Sequence, residues 1–456
     1  MSTSKSIIKI SDFLKKNIEQ EIQEIYGPED LNDNETVLSF KDQVAVITHY
    51  AMLCDDNRNR ATYERALNII NGWYHWIGQD IDAARKKDQE LVADSASAFQ
   101  TYLFNDLFDV PFPTPDNPRF TFIDLFAGIG GFRMAMQNLG GKCVYSSEWD
   151  EQAQKTYFAN YGEVPFGDIT KEVTKSFIPD GFDVLCAGFP CQAFSLAGKR
   201  RGFEETRGTL FFDVAEILKR KQPKAIFLEN VKGLKNHDKG RTFEVIKNTL
   251  REVGYTIADD PSVVNAMFFG VPQHRERVYI IGVRNDIAIK LGITSETIKN
   301  SYPTQNYHNG IRPRFIDIRE KNEVSVKYYI STQYMQTLIN HKARHAAKGN
   351  GFGYEIIPDN GIANAIVVGG MGRERNLVID DRLTNFVPVT KIKGEVNRDG
   401  IRRMTPREWA RLQGYPDDFI IPVADASAYK QFGNSVAVPA IQATANNLLN
   451  LINPVL

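Results

Sequence analysis

Phe120-Thr-Phe-Ile-Asp-Leu-Phe126, followed at once by Ala127-Gly128-Ile129-Gly130-Gly131, is the stretch on which the fold turns. A short, mostly apolar run ending in glycines reads as a buried strand, and the amphipathic stretch after it, 132–139, reads as a helix. Strand, glycine turn and helix open an α/β unit. Glycines in that turn let a ligand approach the backbone closely. Their spacing is not the full dinucleotide fingerprint, so no pyrophosphate is implied. A second strand, 142–147, ends at Glu148-Trp149. An acid there, about 20 residues past the glycines, is placed to accept hydrogen bonds from ribose hydroxyls. Asp168 ends the next short segment.

Downstream, strands and helices keep alternating. The run 182–187 reads as a strand and leads into Gly188-Phe189-Pro190-Cys191-Gln192-Ala193-Phe194-Ser195. Cys191 lies at a loop mouth, where it can do chemistry; the octet alone fits a buried packing cysteine equally well. Residues 211–219 form a helical pattern with Phe211, Val214, Ala215 and Leu218 on one face. The strand 225–228 ends in Glu229-Asn230-Val231, and the strand 278–283 is preceded by Gln273-His274-Arg275-Glu276-Arg277. The alternation predicts an α/β fold, a doubly wound and mainly parallel sheet with ligands at the carboxyl ends of its strands.

The 456 residues allow two to three domains. No apolar run is long enough to span a bilayer, and the first residues lack a secretory pattern, so neither a membrane nor an exported location is expected. Four cysteines, Cys54, Cys143, Cys186 and Cys191, show no metal-ligand spacing and suit a reducing compartment. No metal is expected. The overall charge of −1 hides an asymmetry: residues 1–110 carry −8 and the remainder +7. A basic body suits a polyanionic partner, whereas the acidic leader does not.

Helical spacing is expected over 5–26, 40–74 and 76–108, giving an accessory helical domain without a motif. Pro111, Pro113, Pro115 and Pro118 then mark a stiff linker. From 296 to 400 the pattern decays into polar, glycine-rich sequence. Lys342, Arg344, His345 and Lys348 precede Gly349-Asn-Gly-Phe-Gly-Tyr354, and Gly369-Gly-Met-Gly-Arg-Glu-Arg375 follows. This insert reads either as solvated irregular chain or as basic loops laid along a nucleic acid. Regularity returns at 402–416, a helix with proline near its start and glycine at its end. Gln431-Phe-Gly-Asn434-Ser435-Val436 and a final helix, 438–451, are expected to close back onto the sheet.

Six of these motifs, in this order, resemble the cytosine-5 DNA methyltransferases: Phe122–Gly131, Gly188–Ser195, Glu229–Val231, Gln273–Arg277, the 403–416 block and Gly433–Val436. The resemblance covers 119–456 and is close to bacterial restriction-modification enzymes, including Gly208-Thr-Leu-Phe-Phe-Asp213. It implies the S-adenosyl-methionine-dependent methyltransferase fold, with domains at 1–110 (helical accessory), 111–118 (linker), 119–288 (catalytic and cofactor-binding), 289–400 (small, irregular, target-recognising) and 401–456 (completing the catalytic domain).

The chemistry agrees. Carbon 5 of cytosine is a poor nucleophile until a thiolate adds at carbon 6 and makes the ring an enamine. Cys191 is the cysteine placed for that step. A partly buried carboxyl, Glu229, can share the proton on N3. Arg275 and Arg277 alternate on an extended segment, so they need not share a face; by resemblance one or both reach the base O2. The resemblance carries S-adenosyl-L-methionine to Phe126, Gly128, Ile129, Gly130, Glu148, Trp149, Asp168, Ile169, Pro190, Leu210, Asn434 and Ser435, with Trp149 against the adenine. The substrate is double-stranded DNA with its cytosine flipped out. Gln192 and the loop 193–208, with Arg200 and Arg201 and hinges at Gly198, Gly202 and Gly208, look like a closing segment.

The Gly349–Tyr354 run resembles the Dcm-like branch, which methylates the inner cytosine of CCWGG. That branch carries an Ala-Arg-Tyr-Tyr-Lys-Asp-Gly-like run where this chain has Val368–Arg375, so the recognition sequence is not carried over. Arg373 and Arg375 are the candidates for base contact, arginine being the usual guanine reader. A monomer acting in the bacterial cytoplasm on the nucleoid, with a cognate restriction endonuclease as partner, is the expected setting. Two other readings use the same residues: a transfer-RNA cytosine methyltransferase on this core, and a catalytically silent DNA-binding relative.

Overall fold

The computed structural model describes residues 110–190, 210–307, 310–369 and 373–456, together with Asp42, Ala45, Val46 and His49. The helical spacings expected over 5–26, 40–74 and 76–108 lie outside the described residues apart from those four, which are helical and buried. The chain divides into two compact units, the first ending at Ile226 and the second running over Phe227–Val455.

Unit 1 is organised around β1 (Phe120–Leu125), all six residues of which are buried. It pairs in parallel with β2 (Gly141–Ser147) on one side, from Phe120 opposite Gly141 to Leu125 opposite Ser147. On its other side lies β3 (Val184–Ala187), again parallel. A strand covered on every side has no use for polar alternation, which is why its sequence is a nearly continuous apolar run. The start of β4 (Ala225–Val231) follows β3: the Ala225 N–H donates to the Asp183 carbonyl at 3.0 Å. The connecting helices are Gly131–Gln137, Glu151–Tyr161, Glu172–Lys175 and Leu210–Lys221. The last two are joined by Lys175, whose ammonium contacts Asp213 at 2.8 Å and Glu216 at 2.6 Å.

The proline-rich segment 111–118 is irregular, as its composition predicts, yet it is tied down. The Phe112 N–H donates to the Asn160 carbonyl, and its ring packs on Tyr161. Gln137 donates to the Pro113 carbonyl at 3.1 Å.

In unit 2 the remainder of β4 neighbours β8 (Glu276–Arg284). Ahead of β8 come β5 (Tyr255–Ile257), β6 (Val263–Asn265) and β7 (Gln273–His274). Both β5 and β6 pair with β8 antiparallel, so the expectation of a mainly parallel sheet holds in unit 1 and gives way to mixed pairing here. For β6 the short connection to β8, residues 266–275, makes the difference, because a parallel return needs a crossover of a dozen or more residues. Two small pairs complete the strands: β7 with β9 (Ala363–Asn364), and β10 (Leu377–Ile379) with β11 (Ile401–Arg403).

The stretch expected to be irregular from 296 to 400 contains the helices Ser295–Ser301 and Thr332–Ala346. Only Leu338 is buried in the second of these. Its inward stripe is narrow, with Tyr334 and Met335 packed beside Leu338 against Ile330, Leu377 and Ile401, so the apolar period in the sequence is short. It is also capped at its start, where the Ser331 hydroxyl accepts from the Tyr334 N–H. The tail behaves as expected: Val438–Ile452 buries a continuous apolar face and packs against β8.

Candidate active site

The first cluster belongs to unit 1 and sits where β1 ends. Phe126, Gly128 and Gly130 all have positive φ, at 58°, 58° and 81°. A β1–helix turn this tight needs left-handed backbone, which glycine adopts freely and Phe126 only under constraint. A Cβ on Gly128 would meet nothing within 4 Å, so the backbone there faces open space. A Cβ on Gly130 would lie 2.3 Å from the Tyr161 ring, and the Tyr161 hydroxyl donates to the Gly130 carbonyl at 2.8 Å. Gly130→Ala is therefore expected to cost about 1–3 kcal/mol of stability. An unchanged melting curve would contradict the close packing described.

Glu148 follows β2 and faces the same turn. Its carboxylate accepts from the Gly128 N–H at 2.8 Å and the Asp150 N–H at 2.7 Å. Burial pushes its pKa up against those two bonds. Each oxygen keeps a lone pair for a further donor. Trp149 beside it is 79% exposed, an apolar ring left open to solvent. Asp168 is half-buried and bends back on the Thr170 N–H and hydroxyl, at 2.9 and 2.8 Å, while Ile169 is buried. Pro190 is exposed and Leu210 half-buried. An open glycine turn, an acid with spare lone pairs and an uncovered indole fit a nucleoside bearing ribose hydroxyls and an aromatic base.

Beneath this cluster is a buried charge network that sequence reading missed. Arg133 is fully buried and forks onto Glu163 at 2.6 and 2.7 Å. Its remaining N–H groups reach Gln137, the Tyr157 hydroxyl and Thr114, so all five donors are used. Burial would raise the Glu163 pKa, but Arg133 more than offsets it and holds the carboxyl low. Asp124, inside β1, is also missed. Fully buried, its oxygens make no hydrogen bond of ordinary geometry among the described residues, and burial pushes its pKa up to about 8. The one signal for it was a carboxylate inside an apolar run.

The second cluster belongs to unit 2. Glu229, on β4, is 8% exposed. Its Oε1 lies 3.2 Å from Arg277 Nε. Burial raises the Glu229 pKa, with Arg277 and then Arg275 pulling it back. Arg275 and Arg277 part company, as their spacing allows. Arg275 is buried, and its guanidinium donates to the carbonyls of Ile366 at 2.9 Å, Ser435 at 2.6 Å and Gly433 at 3.4 Å. Its Nε has no partner among the described residues. Burial, with Arg277 adding to it, lowers its pKa to about 9. It acts as a brace for the 433–435 turn, where Asn434 is exposed and the Ser435 hydroxyl bonds Tyr415 at 2.7 Å. Gly433 leaves room there for Val368, since a Cβ would come within 2.8 Å of it.

Arg373 is exposed and lies over the Tyr429 ring at 5.3 Å, whereas half-buried Arg375 is 3.6 Å from Glu355. Lys342 and His345 of the basic run also have partners, the Tyr354 carbonyl and Asn350. Cys191, Gln192, Arg200, Arg201 and the glycines of the loop 193–208 lie outside the described residues. Cys143 and Cys186 are both buried, and burial pushes both thiols up, Cys143 to about 12. Among the described residues no helix is long and apolar enough to cross a membrane, and no group of His, Cys, Asp and Glu could hold a metal ion.

A sequence model of C-5 cytosine-specific DNA methylases matches residues 120–450. The Type II methyltransferase M.HpaII of Haemophilus parainfluenzae is 69% identical over 332 residues, covering 73% of this chain and 89% of that protein. The DNA-cytosine methyltransferase of Escherichia coli K12 is 38% identical over 428 residues, covering 83% and 87%. The crystal structure of the S. pombe Dnmt2 methyltransferase superposes with a TM-score of 0.53 at 19% identity, over 73% of this chain and 99% of that one, which shows the shared fold.

Proposed function

Because the chain belongs to the C-5 cytosine-specific DNA methylases, and so methylates carbon 5 of cytosine in DNA with S-adenosyl-L-methionine, we propose that Cys191 is its nucleophile and Glu229 its proton-sharing acid. The cofactor supplies an electrophilic methyl on a sulfonium. The Cys191 thiolate bonds to carbon 6, and the electron pair released into the ring makes carbon 5 nucleophilic. Glu229 holds the proton at N3, so the ring does not carry that charge alone. Arg277, paired with Glu229, reaches the base edge, while Arg275 braces the 433–435 turn behind it. After methyl transfer a solvent base takes the carbon 5 proton, and the electron pair left behind forms the carbon 5–carbon 6 double bond and expels the Cys191 thiolate, restoring the aromatic ring. Neither Cys143 nor Cys186 competes for the role, since burial keeps both as thiols.

Around that centre, Phe126, Gly128, Ile129, Gly130, Glu148, Trp149, Asp168, Ile169, Pro190, Leu210, Asn434 and Ser435 hold the cofactor. The ribose meets Glu148, and the indole of Trp149 stacks on the adenine. Gln192, Arg200 and Arg201 close over the flipped base. Residues 289–400 read the target, with exposed Arg373 the better base-contacting candidate because Arg375 is engaged by Glu355. The protein acts as a cytoplasmic monomer, and the kinship with Type II enzymes supports a cognate endonuclease as partner.

The observation that carries this reading is the buried Glu229 carboxyl against Arg277. Bisulfite sequencing of DNA from a host expressing the chain should show one short motif protected at a fixed cytosine. A duplex carrying 5-fluorocytosine in that motif should trap an adduct on the Cys191 peptide. Trapping on another cysteine, or no protected motif, would overturn it.

A further inference from the structure

The family match begins at residue 120, so the N-terminal region has no part in the reading above. Its four described residues nevertheless reach the cofactor side of unit 1. Asp42, Ala45, Val46 and His49 follow the i, i+3, i+4, i+7 spacing of one helical face, and all are buried. The Asp42 carboxylate accepts from the Gly167 N–H at 2.9 Å. Gly167 is the residue before Asp168, and Glu148 N–H donates to the carbonyl of Phe166 at 2.7 Å. Asp42 thus grips the one strip of backbone that carries Asp168 and abuts Glu148. His49 makes the second hold. Its Nδ1–H donates to the Ala45 carbonyl at 2.9 Å, which leaves Nε2 to accept from the Ser146 hydroxyl at 3.3 Å. The ring packs on Phe166 with centroids 5.2 Å apart and lies 3.5 Å from Glu163, the partner of Arg133 on the helix behind the glycine turn.

We propose that the N-terminal region is a positioning element for the cofactor site, in which Asp42 fixes the Phe166–Gly167–Asp168 backbone and His49 anchors the helix face that carries it. The inference rests on the reading of Asp168 as a cofactor-binding acid. A charge-assisted bond to a backbone N–H sets where the following carboxylate stands. The residue touches neither the base nor the methyl group, so its loss changes cofactor affinity and spares the chemical step.

The test uses the full chain, with S-adenosyl-L-methionine titrated by calorimetry and steady-state methyl transfer measured on its duplex substrate. Asp42→Ala is expected to raise the cofactor Kd and KM by roughly tenfold, as befits one lost charge-assisted bond, with kcat at saturation within about twofold. Asp42→Asn, which keeps an acceptor oxygen, should recover most of the affinity. A merely structural role would instead lower the active fraction and with it kcat, leaving KM unchanged. Asp42→Asn decides the matter should Asp42→Ala fail to fold: Asn binding weaker than wild type with normal kcat supports the proposal. Wild-type affinity in the folded Asp42 variants, alongside at least tenfold weaker binding by Asp168→Ala, overturns it. Wild-type affinity in Asp168→Ala overturns instead the cofactor reading beneath it.

Discussion

Glu229→Gln is expected to slow methyl transfer by about 10²- to 10⁴-fold, the range over which a positioned acid or base contributes. Glutamine keeps the shape and volume of the side chain and can still face Arg277. What it loses is the ability to carry and release a proton. Cofactor affinity should stay near wild type, because the groups proposed to hold the cofactor are others. The pH profile separates proton sharing from packing. Burial raises the Glu229 pKa above the usual carboxylate value. Its acid form therefore survives to higher pH than that of a free glutamate and is consumed as pH rises through the shifted value. Single-turnover rates of the wild type should fall along that limb, and those of Glu229→Gln should lie flat across it. Rapid-quench kinetics with labelled cofactor would show both effects. A variant at wild-type rate would remove Glu229 from the mechanism.

The groups proposed to drive this chemistry were legible in the sequence because their signals are local. Gly128 and Gly130 announce a turn needing left-handed backbone, and Glu148 and Glu229 sit where apolar strands stop. Strand ends are where an α/β sheet presents its functional groups, so naming the strands located the acids. Partner choice was not legible. Nothing near Arg133 points to Glu163, 30 residues away, as the carboxylate it meets in the core. Arg275 and Arg277 share a motif, yet one is spent on three backbone carbonyls and the other faces Glu229. Their difference comes from the pleat and from what packs on each face. Arg375 read as a candidate for base contact, and only the tertiary structure sets Glu355 3.6 Å from it. The helix Thr332–Ala346 was missed for a related reason, since its buried stripe of Tyr334, Met335 and Leu338 is short and the rest of its surface is largely exposed.

The block around Arg402 shows how far such a partnership can matter for stability, and it yields the last expectation. Arg402 on β11 is fully buried between two carboxylates. Its Nε donates to Asp380 at 2.9 Å, and its two terminal nitrogens fork onto Glu408 at 2.7 and 2.8 Å. Glu408 also accepts from the Thr405 N–H, as the far half of a capping box on the helix Pro406–Leu412. Asp380 follows β10 and is shared with Arg382. One guanidinium thus binds β10, β11 and the helix that follows. Arg402→Met fills most of the same space but strands Glu408 without its cation in a site with no solvent access. The expected loss is about 3–5 kcal/mol, the penalty for breaking a buried pair from one side. Each kcal/mol moves the melting midpoint of a unit this size by about 2–4 °C. Calorimetry should therefore find the variant melting some 10 °C or so lower. Removing both charges, as Arg402→Met with Glu408→Gln, should restore part of that, because the orphaned carboxylate is gone. The pH response has a definite sign. Burial alone would raise the Asp380 pKa, but Arg382 and Arg402 hold it down to about 2. A depressed carboxylate pKa contributes stability that is fully present above the unfolded value near 4 and is lost as pH falls toward 2. Wild type should lose melting temperature across that window, and Asp380→Asn should start lower and lose less. Equal midpoints for wild type and Arg402→Met at neutral pH would show that the pair, however well formed, is not what holds this part of the fold.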